Sequence, residues 1–230
     1  MTQKIKSSLI ILTRNEIEGM RSLIGRIPFE AANEAFVVDY RSNDGTVEFV
    51  KRRGIRLVAQ TKSGRGEAFK LAVTKARGDI LVFFSPDGNE DPGDIPKLIK
   101  AIRDGADMAI ASRFLPGSRN EEDDQPLKFR LWANQAFTAV ANLLWNQSGT
   151  YVTDTINGYR AINKSAFNSL NLDAAGYAIE YQMTIRALKA HLKIVEFPTI
   201  EGNRIGGQSK SQSIPTGLKF LQLLAQEIFT

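Results

Sequence analysis

Apolar segments of strand length alternate with segments of helical periodicity through the first half of the chain. Residues 8–13, 35–40, 55–60, 79–84 and 107–114 are rich in apolar side chains, which predicts strands. Helices are predicted between them, over residues 16–26, 45–53, 66–76 and 92–104. This β-α-β-α order with short connections predicts an α/β fold, with a mostly parallel central sheet and helices on both faces.

The second half has a less regular pattern. It predicts a polar loop at 120–124, helices at 126–145 and 178–190, a strand at 192–200 and a basic Gly- and Ser-rich loop at 202–213. The tail, 214–229, is predicted to be an amphipathic helix with one apolar face. That face is formed by Ile214, Leu218, Leu221, Ala225 and Ile228. It suits either a bilayer surface or packing against the domain core or a partner subunit.

The amino-acid composition restricts the kinds of functional site that the chain can contain. A chain of 230 residues with 43% hydrophobic residues can bury one large core or two small ones. There are no cysteines and His191 is the single histidine, which argues against thiolate sites, disulfides and His-based metal or triad chemistry. The net charge of +5 favours anionic partners such as nucleotide phosphates, lipid phosphates or a membrane. Acidic residues are also plentiful, so a nucleic-acid-binding tail is not expected.

Targeting signals are not evident in the sequence. The first six residues are polar and lack the apolar stretch of a signal peptide. No run of about 18 apolar residues occurs that would span a membrane. We therefore expect a cytoplasmic protein, with contact at the cytoplasmic membrane face as the further option that the amphipathic tail leaves open.

The most informative site signal follows the predicted strand at 79–84. Ser85, Asp87 and Asn89 come directly after it, within a run of turn-forming residues. Ligands of open α/β sheets bind at the carboxyl ends of strands, and Asp and Asn supply the oxygen ligands that Mg²⁺ or Mn²⁺ takes. The same residues favour a plain turn, so this run by itself leaves a metal–diphosphate site and a turn as alternatives.

Four sequence motifs, taken together and in their order along the chain, favour the metal–diphosphate site over a plain turn. They are residues 11–16 (ILTRNE), 38–46 (VDYRSNDGT), 64–68 (GRGEA) with 76–92, and 154–160 (DTINGYR). Together they resemble the inverting family-two glycosyltransferases of GT-A fold, and most of all the dolichol-phosphate mannose synthase-like enzymes. The resemblance extends over residues 8 to 212.

That resemblance implies a function and a domain layout. It implies one GT-A catalytic domain at 1–213, with a nucleotide-binding half at about 1–105 and an acceptor half at about 106–213, followed by the helix at 214–230. The reaction would move a sugar from a GDP- or UDP-linked donor to a polyprenyl or dolichyl phosphate, with Mg²⁺ or Mn²⁺. Partners would be these substrates and either a membrane protein or the membrane surface.

The resemblance also assigns roles to residues. The metal would be held by Asp87 and Asn89. The catalytic residues would be Asp87, Arg113, Asp154 and Glu180. The substrate-binding residues would be Thr13, Asn15, Glu16, Asp39, Gly64, Arg65, Gly66, Ser85, Arg130, Arg160, Arg204, Ser209 and Lys210.

Several positions depart from the family pattern. Ser85 stands where the family usually has the first Asp of Asp-x-Asp, and Tyr40 and Arg41 replace an Asp-Gly pair. These departures leave two alternatives open, transfer to a soluble or polysaccharide hydroxyl and a non-catalytic nucleotide-binding scaffold. A hydroxyl acceptor needs a base such as Asp154 or Glu180. A lipid monophosphate, with a second pKa of about 6, needs cations instead.

Overall fold

The computed structural model describes residues 5–124, 126–147, 149–206 and 213–229, with side chains from residue 216 onward in the last segment. The strands are β1 (Ser7–Thr13), β2 (Glu34–Asp39), β3 (Arg56–Ala59), β4 (Ile80–Phe84), β5 (Met108–Ser112), β6 (Arg160–Asn163) and β7 (Ile194–Pro198). The helices are α1 (Ile17–Leu23), α2 (Thr46–Arg52), α3 (Arg65–Lys75), α4 (Ile95–Arg103), α5 (Phe129–Trp145), α6 (Lys164–Ser169), α7 (Ile179–Lys189) and α8 (Ser213–Ile228).

The strands form one sheet in the order β3-β2-β1-β4-β6-β5-β7. All neighbouring pairs are parallel except those of β6, which runs antiparallel to β4 and β5. The predicted α/β fold with a mostly parallel sheet is therefore confirmed. β6 and α6 were not predicted, because β6 is four residues long and begins with a charged residue.

Both faces of the sheet are covered. The core on one face joins α3, α5, α7 and α8 to alternate side chains of β1, β2 and β4, and the core on the other face joins α1, α2 and α4 to the remaining ones. β1, β4 and β5 are buried along their whole length, as expected for parallel strands between two helical layers.

The sheet geometry gathers the polar motifs at one edge. In β1 and β2 the last residues, Thr13 and Asp39, are register partners. β4 and β5 are aligned the same way, so their ends at Phe84 and Ser112 lie at this edge as well. Since β6 is antiparallel, its first residue, Arg160, pairs with Phe83 near the end of β4. The loop before β6 therefore joins the loops that follow the parallel strands.

The tail helix packs on the core through a different face from the one predicted. Phe220, Leu223 and Leu224 are buried in the core that contains α7. Leu218, Leu221 and Ile228, which the pattern placed on the apolar face, are 63%, 56% and 54% exposed. α8 is thus apolar on two sides, and the outer one is uncovered in the described part of the chain. Within those same ranges, no helix combines the length and apolarity needed to cross a bilayer.

Candidate active site

A cavity of about 400 Å³ opens at the carboxyl edge of the sheet. Its walls come from the loops after β1 to β5 and after β7, the loop before β6, the start of α7 and one side chain each of α5 and α8. The predicted residues that line it are Thr13, Glu16, Gly64, Arg65, Ser85, Asp87, Asn89, Arg113, Arg130, Glu180 and Arg204. Lining residues that sequence reasoning missed include Arg14, Gln60, Glu90, Glu121, Tyr177, Glu201 and Lys219.

Asp39 connects the end of β1 to the loop that follows β2. Its Oδ2 accepts a hydrogen bond from Thr13 Oγ1 at 2.7 Å, and its Oδ1 accepts one from Ser42 N at 3.0 Å. Asn15 joins the same bracing, because its side chain accepts from Asn43 N at 2.9 Å. Of these, Thr13 lines the cavity, whereas Asp39 and Asn15 do not belong to the lining. Their predicted contact with the nucleotide stays a prediction.

Tyr40, at a position that departs from the family pattern, has two guanidinium groups close to its ring. Arg14 and Arg41 are 5.3 Å and 5.7 Å from the centre of its ring. Tyr40 and Arg14 both line the cavity beside Gln60. This end of the cavity therefore offers an aromatic ring and positive charge where the family pattern has a carboxylate.

The glycines before α3 allow close packing of main chains. A Cβ on Gly64 would lie 2.1 Å from the carbonyl oxygen of Ala175, and one on Gly66 would lie 2.0 Å from that of Ala174. Gly66 N donates to Ala175 O at 3.0 Å. The N–H group of Gly66 is therefore committed to the main chain of Ala175, and the predicted contact of Gly66 with substrate stays a prediction.

Arg65 and Glu180 form an ion pair in the wall of the cavity. Arg65 also donates to Ser85 Oγ at 3.2 Å. Glu180 is buried, and its Oε2 has no hydrogen-bond partner among the described residues. Gly158 makes room for this pair, since a Cβ there would lie 2.1 Å from Arg65 Nη2. A buried carboxylate oxygen without a donor suits a ligand that brings one.

The loop after β4 holds Asp87 beside a second acidic group. Glu90 accepts a hydrogen bond from Ser85 N at 2.6 Å through its Oε2. Burial raises the pKa of Glu90 to about 8, and the nearby charge of Asp87 adds to this, while Arg65 partly opposes it. The spacing of Asp87 and Glu90 was a readable signal for this pair.

The segment at 201–206 lies directly on that loop. Gly202 N donates to Asn89 O at 3.0 Å and Ile205 N donates to Asp87 O at 2.6 Å. Arg204 Nη1 lies 2.7 Å from Asp87 Oδ2, and its Nη2 lies 3.2 Å from Glu16 Oε1. Three predicted residues from distant parts of the sequence thus meet in one charge cluster. Ser209 and Lys210, predicted to act with Arg204, lie outside the described residues.

Asp154 holds Arg113 rather than facing the cavity. Its two oxygens accept from Arg113 Nε at 2.8 Å, Arg113 Nη2 at 3.0 Å and Arg113 N at 3.1 Å. Asp154 is 0% exposed, whereas Arg113 lines the cavity and also approaches Glu201 at 3.5 Å. Burial raises the pKa of Glu201, and Arg113 partly opposes that rise. In this structure Asp154 positions Arg113, and its predicted catalytic role stays a prediction.

Arg160 has a structural role. It is fully buried and donates to Glu180 O at 3.0 Å, Thr184 Oγ1 at 3.0 Å and the carbonyls of Thr155 and Asn157. Burial lowers its pKa to about 10. The predicted contact of Arg160 with substrate is wrong, because the side chain ties the turn before β6 to α7. Neither does it pair directly with Asp154, whose partner is Arg113.

Arg130 and Lys219 complete the wall on the side of α5 and α8. Arg130 pairs with Glu121 at 2.5 Å. It also lines a second, smaller groove between α5 and α8, where Arg113 and Tyr177 appear again. The two cavities therefore share a wall that carries two guanidinium groups.

The residues that line the cavity supply some, but not all, of the ligands that a metal ion would need. Asp87 is a carboxylate at the cavity wall, and Mg²⁺ sites commonly combine one or two carboxylates with substrate phosphates. The amide nitrogen of Asn89 donates to Glu121 Oε2 at 2.8 Å and Gly202 O at 2.9 Å. Among the described residues, no three Asp, Glu, His or Cys side chains are placed to hold a metal together. A metal here would therefore depend on oxygens brought by the ligand.

Known proteins resemble this chain along most of its length. The family model described as "Glycosyl transferase family 2" matches residues 8–170. An undecaprenyl-phosphate mannosyltransferase of Micrococcus luteus is 32% identical, over 87% of this chain and 85% of that protein. A dolichol-phosphate mannosyltransferase of Pyrococcus furiosus is 30% identical over 90% of this chain, which spans 59% of that longer protein.

The fold is also found among solved structures. Glucosyl-3-phosphoglycerate synthase from Mycobacterium tuberculosis, in complex with Mn²⁺, UDP and phosphoglyceric acid, superposes with a TM-score of 0.74 at 22% identity. The match covers 96% of this chain and 77% of that one. At this identity the likeness shows the GT-A fold. Together with the family match, it establishes that the chain belongs to glycosyl transferase family 2 and is a glycosyltransferase of GT-A fold.

Proposed function

We propose that the protein transfers a sugar from a GDP- or UDP-linked donor to a polyprenyl phosphate, using Mg²⁺ or Mn²⁺. The donor would occupy the half formed by residues 1–105, and the acceptor the half formed by residues 106–213. The mannosyltransferases of Micrococcus luteus and Pyrococcus furiosus, which are named for lipid-phosphate acceptors, support the choice of acceptor.

The observation that carries the proposal is the pairing of Asp154 with Arg113. A carboxylate expected to serve as a base instead fixes a guanidinium group at the wall that the two cavities share. A lipid monophosphate is largely dianionic at neutral pH and needs no base. It needs cations that lower the repulsion between its charge and that of the donor diphosphate, and Arg113 and Arg130 lie where they would supply them.

The donor side would depend on Asp87. A divalent cation bound there would neutralise charge on the leaving nucleoside diphosphate. Arg65 and Arg204 line the same wall, and their guanidinium groups would reach the diphosphate oxygens by exchanging their present partners, Glu180 and Asp87. Tyr40, with Arg14 beside it, offers a ring for the base to pack against.

The experiment is transfer of radiolabelled sugar from GDP- and UDP-sugars to a polyprenyl phosphate. We expect label in an organic-extractable, mild-acid-labile product, and its loss in Asp87→Ala. Asp104→Asn is the matched control, since Asp104 is an exposed carboxylate at the end of α4. Label that stays in the aqueous phase would overturn the lipid acceptor. No turnover with any nucleotide sugar would favour the non-catalytic scaffold.

A hydroxyl acceptor is the second candidate. It is favoured by Glu180, whose Oε2 is buried at the cavity wall and has no hydrogen-bond donor within the described part of the chain. Such an oxygen is placed to receive a proton from a hydroxyl. Under this alternative, Glu180→Gln abolishes transfer to a soluble sugar or polysaccharide. Under the lipid-phosphate proposal, the same variant alters binding of the donor through Arg65 and leaves an extractable product.

A further inference from the structure

A buried glutamine joins the loop between α6 and α7 to the tail helix α8. Gln182 of α7 is 1% exposed. Its Oε1 accepts hydrogen bonds from Asp173 N at 3.0 Å and Ala174 N at 2.9 Å. Its Nε2 donates to Asp173 Oδ1 at 2.5 Å and to Glu227 Oε1 of α8 at 3.2 Å. Because a primary amide has two N–H groups and an oxygen that accepts twice, Gln182 uses its full capacity to hold these two segments together.

The loop that Gln182 holds packs directly on the start of α3. Gly66 N donates to Ala175 O at 3.0 Å. A Cβ on Gly64 would lie 2.1 Å from the carbonyl oxygen of Ala175, and one on Gly66 would lie 2.0 Å from that of Ala174. Main chains that are packed this closely and joined by a hydrogen bond move together, because a packed interior tolerates neither overlap nor a gap. A displacement of the loop would therefore displace residues 64–66 as well.

Arg65 lies between the two glycines and extends into the wall of the cavity. Its guanidinium group pairs with Glu180 and donates to Ser85 Oγ at 3.2 Å. Hydrogen bonds between a guanidinium group and a phosphate depend strongly on distance and direction. The placement of this group against a bound diphosphate is therefore set in part by the loop beneath α3, and so by Gln182.

The helix α8 contacts the same loop at two points along its length. Lys219 lines the cavity, and a Cβ on Gly176 would lie 4.0 Å from its Nζ. Glu227, about two turns further along the helix, is 2% exposed and accepts from Gln182. The position of α8 on the domain is thus linked to the position of the loop on both the cavity side and the buried side.

We propose that Gln182 is a positioning residue for the nucleotide site, which couples the docking of α8 to the placement of Arg65 against the diphosphate. The identity of this ligand, a nucleoside diphosphate that carries the sugar, rests on the proposed function. Coupling of this kind is reciprocal. A nucleotide that holds Arg65 stabilises the loop and, through Gln182, stabilises α8 on the domain.

Calorimetric titration with GDP and with UDP, each in the presence of Mn²⁺, tests the coupling. Gln182→Met keeps the length of the side chain and removes its hydrogen bonds to the loop and to Glu227. We expect the Kd of the nucleotide that wild type binds to rise roughly tenfold, since small displacements of a positioned group have effects of this size or larger. Tyr181→Phe is the matched control, because the neighbouring Tyr181 is also buried and its hydroxyl donates to Phe137 O on α5 at 2.6 Å. The control should leave the Kd unchanged.

Two further comparisons separate positioning from a general loss of stability. Glu227→Ala should also raise the Kd, and its combination with Gln182→Met should raise the Kd no further than Gln182→Met does alone, because both changes act through one network. Gln182→Glu places a carboxylate beside Asp173, and adding Asp173→Asn lets the introduced amide donate to it. This pair should recover part of the affinity that Gln182→Glu loses. Additive effects in the first comparison, or no recovery in the second, would overturn the proposal.

Amide hydrogen exchange follows the coupling in the opposite direction. Saturating nucleotide with Mn²⁺ should slow exchange at residues 220–228 in wild type and in Tyr181→Phe, but not in Gln182→Met. Equal protection of α8 by nucleotide in Gln182→Met and in wild type would show that Gln182 does not carry the coupling.

Transfer kinetics distinguish this inference from the proposed function. We expect the KM for the nucleotide sugar to rise in Gln182→Met with little change in kcat, as for an interaction that is equally strong in the ground state and the transition state. Transfer to a polyprenyl phosphate with the wild-type KM in Gln182→Met would overturn the inference alone. Coupled nucleotide binding in a protein that transfers no sugar would overturn the proposed function and leave the inference standing.

Discussion

Arg204 Nη1 lies 2.7 Å from Asp87 Oδ2, so the carboxylate that the sequence marks as the metal ligand is held by a guanidinium group. Arg204 also contacts Glu16, and its own segment is hydrogen-bonded to the loop that carries Asp87. Arg204 thus occupies one oxygen of the carboxylate that the proposed metal ion would use. Binding of a metal ion to Asp87 would therefore compete with the Arg204–Asp87 ion pair.

Replacement of Arg204 should accordingly strengthen metal binding. In Arg204→Ala, Asp87 no longer has to exchange a guanidinium group for the metal. An ion pair of this partly buried kind stabilises by about 1 kcal/mol, which corresponds to roughly fivefold tighter binding of Mn²⁺. Calorimetric titration with Mn²⁺ in the absence of nucleotide measures the change. Arg26→Ala is the control, since Arg26 forms an exposed ion pair with Asp91. Unchanged affinity in Arg204→Ala would contradict the competition.

Glu90 should make stability depend on pH. Its pKa is raised to about 8 in the folded protein from an ordinary value of 4.5, by burial first and by Asp87 second. Between these values the folded state keeps a proton that the unfolded state loses. The free energy of unfolding therefore falls as pH rises from about 4.5 to about 8, and the loss is complete above that.

Glu90→Gln removes this titration and should flatten the dependence. Between pH 5 and pH 8, the free energy of unfolding of the variant should rise relative to that of wild type by about 1 kcal/mol. This corresponds to about 2–4 °C in Tm for a chain of this size. Thermal unfolding at both pH values measures the difference. Glu48→Gln, a substitution on α2 outside the cavity lining, serves as control. An equal pH slope in Glu90→Gln and wild type would count against the raised pKa.

Asp154 should act on the reaction through Arg113. Asp154→Asn removes the carboxylate that pairs with Arg113 through two oxygens and leaves its guanidinium group with the longer contact to Glu201, which costs about 3 kcal/mol of unfolding free energy. Urea denaturation measures that loss. The rate should fall with the shape of its pH profile unchanged, because Asp154 positions a cation and takes no proton. Disappearance of the acidic limb of the profile in Asp154→Asn would show that this carboxylate is the base after all.

Glu227 should determine whether α8 stays on the domain. Its buried carboxylate accepts from Arg186 Nε at 2.7 Å and Lys189 Nζ at 2.9 Å. Glu227→Ala removes both bonds, together with a third from Gln182 Nε2 at 3.2 Å, and leaves their donors without this acceptor, at a cost of about 2 kcal/mol. Amide hydrogen exchange along α8 should accelerate accordingly. Gln222→Ala, at an exposed position of the same helix, should leave exchange unchanged. Equal protection of α8 in both variants would contradict the role of Glu227.

The pattern of apolar residues was enough to predict the main strands in the first half of the chain. The strands that end at Thr13, Asp39 and Phe84 form close to where the apolar runs place them, because a strand buried on both faces requires a continuous apolar run. The motif residues that follow such strands reach the cavity, among them Ser85 and Asp87. β6 could not be read in the same way, since a four-residue strand held between two neighbours has too few positions to show a period.

The sequence by itself determined the fold class, the family and the edge of the sheet where polar groups gather, because these follow from apolar periodicity and from short motifs at strand ends. Only the tertiary structure decided which charges face the cavity. Asp154 and Arg160 belong to the same motif, yet Asp154 accepts hydrogen bonds from Arg113, whereas Arg160 donates to main-chain carbonyls. Glu201 borders the cavity outside every motif that the sequence analysis named. Such roles depend on burial and on partners from distant segments, which no local pattern records.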